Sequence, residues 1–375
     1  MKVLLTTPTY PPFNSGLGNV VAAQARQLTG RGVEVVVATG GSNRSSTEMG
    51  SVRIEKFPIS GSGFAADPIR GDVAAYHDFA ARERSDVIIM HAWQTWSTDV
   101  LLSRLDTLPG RKVVWSHCIS TNTRVTYSPL KSSLRRLLWR PYWWSLPGKM
   151  RKLDALVFLA SDGDDDRFDD VRLARQLGLP YHVIPNSAWP TEATTSVSGR
   201  RTIIAVGSYV PAKGFDFVLD AYARSSAKNK IPLLLHGQTR TPYFEQLAGR
   251  AEGLGIQTGY LEMRVGISGE ALAQAYRTAR LILSGSQTEC QPLVLLDAMA
   301  AGVPFVARRT GCVSGMPGGI AVVSPAEAAA SIDRLVLNEA EWEELSLKGR
   351  LAARTTHDPL STGERLMALL AELAG

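Results

Sequence analysis

The chain has 375 residues, 45% of them hydrophobic and 20% charged, the composition of a globular protein of two domains or one large one, and not of a disordered chain. No apolar run approaches the ~20 residues that would span a bilayer. The net charge of +6 is localised: residues 108–153 contain no Asp or Glu but ten basic residues (Arg111, Lys112, Arg124, Lys131, Arg135, Arg136, Arg140, Lys149, Arg151 and Lys152), so the rest of the chain is net negative and the patch favours phosphate-rich partners.

In chain order, residues 1–6 are too short an apolar run for a signal peptide and read as a first buried strand. Further apolar runs at 33–37, 87–90, 113–115 and 155–159, then at 203–206, 233–235, 281–283 and 304–306, suit parallel strands buried on both faces. Helical periodicity lies between them: Val21, Ala25 and Leu28 share one face, as do Phe215, Val218, Leu219 and Tyr222. Small polar residues around 186–202 mark a linker. This predicts an α/β protein with a first domain over 1–189 and a second over 190–356. The three cysteines, Cys118, Cys290 and Cys312, are far apart, odd in number and without metal-ligand spacing. They favour a reducing cytoplasmic setting and disfavour structural zinc.

Three segments can carry chemistry. After the first strand, Pro11, Pro12, Gly16 and Gly18 form a turn into a helix. Its glycines admit close approach of a ligand and its free amides favour anions, although an ordinary strand-to-helix turn would look the same, and the spacing is not that of a dinucleotide fingerprint. The second, Gly207, Ser208 and Lys213-Gly214, follows the strand at 203–206. A lysine at the carboxyl end of a buried strand lies where ligands bind in open α/β sheets, and its ammonium can neutralise a diphosphate; the alternative is a solvated loop lysine. The third runs from Ser286 through Glu289, Pro292, Leu293, Val294 and Asp297 to Gly302. Pro292 suits the start of a helix and Gly302 its end. Asp297 then leans back toward Glu289, so two carboxylates frame a positive helix terminus.

Glu289, seven residues and Asp297 resemble the paired-acid signature of retaining, metal-independent glycosyltransferases of the GT-B fold, family 4. The other two segments, and the run Ile184-Pro185-Asn186-Ser187, resemble further family motifs in the same order. The resemblance covers nearly the whole chain. It implies two Rossmann-like domains with a cleft between them, an acceptor side in the first domain and a last helix, 357–375, returning to it. It implies a nucleotide-diphosphate-sugar donor and no cofactor or metal. Lys213 would bind the leaving diphosphate, Glu289 a donor-sugar hydroxyl and Asp297 the ribose hydroxyls. Amides near Gly16, Gly18, Leu293 and Val294 would cradle phosphate, with Ser208 beside them. His117 stands where the family often has an active-site histidine, though a structural histidine fits equally. The sequence departs from the family at Ser208, usually Arg; at Asp297, usually Glu; and at Cys290-Gln291-Pro292, usually Gly-Phe-Gly. Two rival readings remain: a nucleotide-sugar epimerase of similar fold, and a non-catalytic sugar-binding protein.

On the acceptor side, His91, Trp93 and Trp96 follow a strand and offer a sugar-binding surface, or else are core. Over 131–152, Leu134, Leu137 and Leu138 fall at helical spacing among Arg135, Arg136 and Arg140, with Trp139, Tyr142, Trp143 and Trp144 after them. This suits an anionic membrane surface, or a basic lid above a phosphate site. No nucleic-acid motif accompanies the charge. The acids at Asp162 and 164–166 superficially match a metal-binding pattern but more simply open a helix.

Overall fold

The computed structural model describes residues 1–13, 15–63, 67–119, 125, 128–164, 166–189, 196–267 and 269–375. Asn14, Arg124, Asp165 and the linker residues 190–195 lie outside the described residues. The first half runs β1 (Lys2–Thr6), α1 (Gly16–Thr29), β2 (Glu34–Gly40), β3 (Ser45–Met49), β4 (Val52–Phe57), β5 (Ile59–Ser60), β6 (Arg70–Gly71), α2 (Val73–Arg82), β7 (Val87–His91), α3 (Trp96–Leu102), β8 (Arg111–Trp115), α4 (Pro129–Leu138), α5 (Arg140–Met150), β9 (Ala155–Phe158), α6 (Asp169–Gln176) and β10 (His182–Val183). The second runs β11 (Thr202–Val206), α7 (Phe215–Arg224), β12 (Leu233–Gly237), α8 (Pro242–Gly253), β13 (Leu261–Val265), α9 (Gly269–Thr278), β14 (Ala279–Ser284), α10 (Leu293–Ala300), β15 (Phe305–Arg308), β16 (Gly319–Val322), α11 (Pro325–Leu337), α12 (Glu339–Thr355) and α13 (Pro359–Ala374).

Among the described residues these strands form two main sheets. One has the order β10-β9-β8-β7-β1-β2-β4-β3 and the other β13-β12-β11-β14-β15-β16. All their pairings are parallel except β3 with β4. Their central strands read as apolar runs because both faces are covered: Val3, Leu4 and Leu5, and likewise Ile88, Ile89 and Met90, have no exposed surface. The hairpin edge strand β3 is exposed at every residue, so no apolar pattern announces it.

Each sheet has a point where strand order reverses, at β1 in the first and β11 in the second. A crevice opens there beyond the carboxyl ends of the strands. The helices leaving the first crevice (α1) and following β14 beside the second (α10) put their N-termini on a common cleft. Helix α13 packs on α1: Gln27 Nε2 donates to the Pro359 carbonyl at 2.9 Å and to Thr362 Oγ1 at 3.2 Å. No described helix is long and apolar enough to cross a membrane.

Candidate active site

A cleft of about 480 Å³ lies between the sheets, walled by α1 and His117 on one side and by the loops after β11, β12 and β14 on the other. Gly16, His117, Ser208, Lys213, Glu289, Leu293, Val294 and Asp297 all line it. The three sequence segments therefore share one crevice.

Lys213 and Glu289 are 76 positions apart in sequence, yet Lys213 Nζ donates to Glu289 Oε1 at 2.5 Å. Two close backbone approaches bring them together. Gly214 has a φ of +61°, and a Cβ there would stand 2.0 Å from the Gly285 carbonyl oxygen, so only glycine lets the Lys213 loop pack on the end of β14. Gly311, at φ +57°, sits under the Glu289 carbonyl in the same way, with a Cβ 2.2 Å from that oxygen. The Gln287 amide bonds the Ala212 carbonyl at 2.9 Å, and Ser286 Oγ donates to Glu289 Oε1 at 2.8 Å. The carboxylate is thus held by a hydroxyl and an ammonium, with 17% of the Glu289 side chain and 34% of the Lys213 side chain exposed.

Helix α10 begins at Leu293 with Pro292 as its N-cap, one residue before the first-turn position expected for this proline. Gly302, at φ +66°, follows the helix and ends it. Asp297 points to the cleft, where its Oδ1 accepts from the Trp189 amide at 3.1 Å. Burial pushes its carboxyl up to about 7, against the opposing pull of that amide. At neutral pH it is therefore divided between charged and neutral forms.

On the facing wall, Ser15 caps α1. Its Oγ accepts from the Gly18 amide at 3.0 Å and pairs with Thr9 Oγ1 at 2.7 Å. Gly18 is accordingly a packing glycine: its amide is taken by the cap, and a Cβ would stand 2.8 Å from the Thr9 carbonyl oxygen. Gly16 alone of the two lines the cleft, and a Cβ there would lie 3.8 Å from Leu293 Cδ1 of the opposing helix.

His117 reaches the cleft, but His91 does not. His91 is fully buried behind it, with Nδ1 3.3 Å from His117 Nε2. Burial pulls His117 down to about 4 and His91 well below the usual range. Both rings are neutral at pH 7, so His117 offers the cleft a hydrogen-bonding ring and no positive charge. Trp93 and Trp96 are likewise core and not a sugar platform, because the loop after β7 turns inward. Trp93 Nε1 donates to Asp170 Oδ2 at 2.9 Å, and Trp96 stacks edge-on against Tyr76 at 5.1 Å.

The structure corrects the cysteine reading. Cys118 and Cys290 form a disulfide, Cα to Cα 5.9 Å, across 172 residues, and Cys312 is free and buried. The bond joins the residue after His117 to the residue after Glu289, so it ties the two cleft walls. Asp164 also bridges the halves, accepting from the Ser314 amide at 3.1 Å and donating its own amide to the Gly311 carbonyl at 2.7 Å. Among the lining residues that sequence reasoning missed, two can carry charge or exchange a proton. Arg167 follows the acidic run, and His236 ends the apolar stretch of β12 just before Gly237. A polar residue closing a buried strand at the ligand-binding end was the available signal for His236.

Comparison with known proteins agrees with this architecture. The model for "Glycosyl transferase 4-like domain" matches residues 15–146, and that for "Glycosyl transferases group 1" matches residues 200–338. An exopolysaccharide phosphotransferase of Streptomyces coelicolor is 28% identical over 225 residues, 60% of this chain, but the match spans only 22% of that relative's length. Sucrose-phosphate synthase from Thermosynechococcus elongatus superposes with a TM-score of 0.80 at 16% identity, covering 99% of this chain and 98% of that one. WaaG, a glycosyltransferase involved in lipopolysaccharide biosynthesis, gives 0.68 at 16% identity over 98% and 99% of the two chains. Anabaena HepE in complex with UDP-glucose gives 0.69 at 15% identity over 99% and 100%. The chain belongs to the group 1 glycosyl transferases, family 4, and is a glycosyltransferase of the GT-B fold with two Rossmann-like domains.

Proposed function

We propose that the protein transfers a sugar from a nucleotide-diphosphate donor to an acceptor with retention of anomeric configuration and without a divalent ion. The observation that carries this reading is the convergence of Lys213 and the N-termini of α1 and α10 on one cleft. A diphosphate there meets an ammonium and two sets of oriented amides, which stabilise the charge that develops as it leaves. The bond from the sugar C1 to the diphosphate oxygen breaks, and a bond from C1 to the acceptor oxygen forms on the same face. The acceptor proton passes to the departing diphosphate. Glu289 holds a donor-sugar hydroxyl, Asp297 the ribose hydroxyls and His117 a hydroxyl of the transferred sugar. The HepE complex with UDP-glucose supports a donor of this class.

The test is release of nucleotide diphosphate from a panel of UDP-, GDP- and ADP-sugars, with mixed acceptors and EDTA present. Turnover in EDTA, with an α-linked product from an α-linked donor by NMR, is expected. Turnover only with added Mg²⁺ or Mn²⁺, or an inverted product, refutes the mechanism; conversion of donor with no acceptor points to the epimerase reading.

For the acceptor we propose a lipid-linked or cell-envelope glycan reached at an anionic membrane surface. Leu130, Leu134, Leu137 and Leu138 are 85%, 55%, 55% and 43% exposed on α4, and Trp144 on α5 is 75% exposed. Lys131 and Arg140 are exposed alongside them. Apolar residues raised among basic ones match the boundary of an anionic bilayer. The descriptions of the exopolysaccharide and lipopolysaccharide relatives support an envelope glycan.

A further inference from the structure

We propose that His236 reads the base of the donor nucleotide and sets which nucleoside diphosphate the enzyme accepts. This deepens the nucleotide-sugar reading and rests on it.

Strand alternation fixes where the imidazole points. On β12, Leu233 and Leu235 belong to the core on one face of the second sheet, while Leu234 packs toward the other, with Ile204, Ile282 and Tyr276. His236, two residues on, shares the face of Leu234. It is in register with Val206, which also lines the cleft. The ring therefore lies at the cleft floor beneath α9.

Its hydrogen bonding is unfulfilled. His236 has no exposed surface, and neither Nδ1 nor Nε2 has a partner among the described residues. Buried polar atoms are rarely left so, and here the residue lines the ligand cleft. The nearest charges, Arg264 and Glu262 on β13, are paired with each other at 2.5 Å. Burial pulls the imidazole down to about 4, so at neutral pH it is an uncharged ring offering one donor and one acceptor.

The chemistry of this stretch of wall fits a base better than a phosphate or a sugar. Gly237 and Gln238 after β12, Ile267 before α9, and Leu272 and Tyr276 on α9 line the cleft together with His236. The Tyr276 hydroxyl is committed to the Val294 carbonyl at 3.2 Å. What remains is an uncharged stretch of Ile267, Leu272 and the Tyr276 ring, with Gln238 and the neutral His236 as its hydrogen-bonding side chains. A flat heterocycle with a polar edge suits such a stretch, and a site built to hydrogen-bond one edge rejects ligands that cannot match it.

The test is isothermal titration of wild type, His236→Leu and His236→Gln with UDP, GDP, ADP and inorganic pyrophosphate. The wild type is expected to prefer one nucleotide. In His236→Leu that preference falls by roughly tenfold or more, while pyrophosphate affinity stays within about twofold. His236→Gln, which keeps a donor and an acceptor, recovers part of the preference and serves as the second variant if the first fails to fold. An unchanged ratio of affinities in the folded variants overturns the inference while leaving the donor reading intact. Equal loss for all three nucleotides and for pyrophosphate also overturns it, because that is a general disturbance of the cleft. Wild-type protein that binds pyrophosphate but none of the nucleotides overturns the donor reading and the inference together.

Discussion

Lys213→Ala removes the cation assigned to the leaving diphosphate and leaves Glu289 behind. The Lys213 ammonium is 2.5 Å from Glu289 Oε1 and lines the same cleft as the α10 N-terminus, so in the donor complex it stands between a carboxylate and a phosphate. Unit charges ~4 Å apart interact by about 4 kcal/mol at an effective dielectric near 20. Losing that attraction in the transition state lowers turnover by roughly 10²–10³-fold. The uncovered Glu289 carboxylate then repels the donor and weakens binding as well. Glu289→Gln in the Lys213→Ala background is therefore expected to restore part of the donor affinity but not turnover, a coupling a double-mutant cycle reads directly. Stability is a separate matter. With the Lys213 side chain 34% exposed, solvent screening limits the ion pair to about 1 kcal/mol, a melting shift of no more than ~4 °C. The assay is nucleotide release at saturating donor in EDTA, with thermal melting in parallel. Turnover within about fivefold of wild type in a folded Lys213→Ala protein would refute the charge assignment.

Four further outcomes follow from the same geometry. Gly214→Ala places a methyl group against the Gly285 carbonyl oxygen at a φ of +61°, so lower melting temperature and at least tenfold weaker nucleotide binding are expected, and calorimetry of both checks it. Reducing Cys118–Cys290 opens a loop of 172 residues and is expected to cost about 2–5 kcal/mol, seen as a lower melting temperature in a dithiol reductant that a Cys118→Ser/Cys290→Ser variant does not show. The ribose contact proposed for Asp297 is strongest when its carboxylate is charged, and burial pushes that carboxyl up to about 7, so nucleotide affinity is expected to rise between pH 6 and 8 in wild type relative to Asp297→Asn. For the unliganded protein the sign is opposite. The folded-state value lies above the unfolded one, so this group's contribution to stability is present at low pH and lost as pH rises toward and through 7, and Asp297→Asn gains stability over wild type at pH 8. Charge reversal of Arg135, Arg136 and Arg140 to Glu is expected to abolish sedimentation with anionic liposomes, and equal recovery of variant and wild type would count against docking.

The sheets were legible in the sequence because parallel strands covered on both faces become continuous apolar runs, as in 87–90 and 203–206. That Lys213, Glu289 and Asp297 lie on one cleft was legible because each falls in a loop after a buried strand or in the helix that follows it, at the ligand-binding end of a sheet. What escaped depends on tertiary placement. Periodicity does not say that the loop after β7 folds inward, burying His91, Trp93 and Trp96. A glycine in a turn looks the same whether its amide faces a ligand, as expected of Gly18, or a capping Ser15. Cys118 and Cys290 meet only because two separate sheets face each other. Asp170 stands in the first turn of α6, where an acid carries no signal of its own. Only the fold shows it fully buried and bonded to Trp93 and Ser116, with burial pushing its carboxyl up to about 6.

The most direct measurement is a crystal structure of the protein soaked with its preferred nucleoside diphosphate in metal-free buffer. The expected result is a diphosphate within hydrogen-bonding distance of Lys213 Nζ and of first-turn amides of both α1 and α10, with no metal density beside it. A nucleotide bound outside the cleft, or held there through a metal ion while Lys213 keeps its bond to Glu289, would contradict the account.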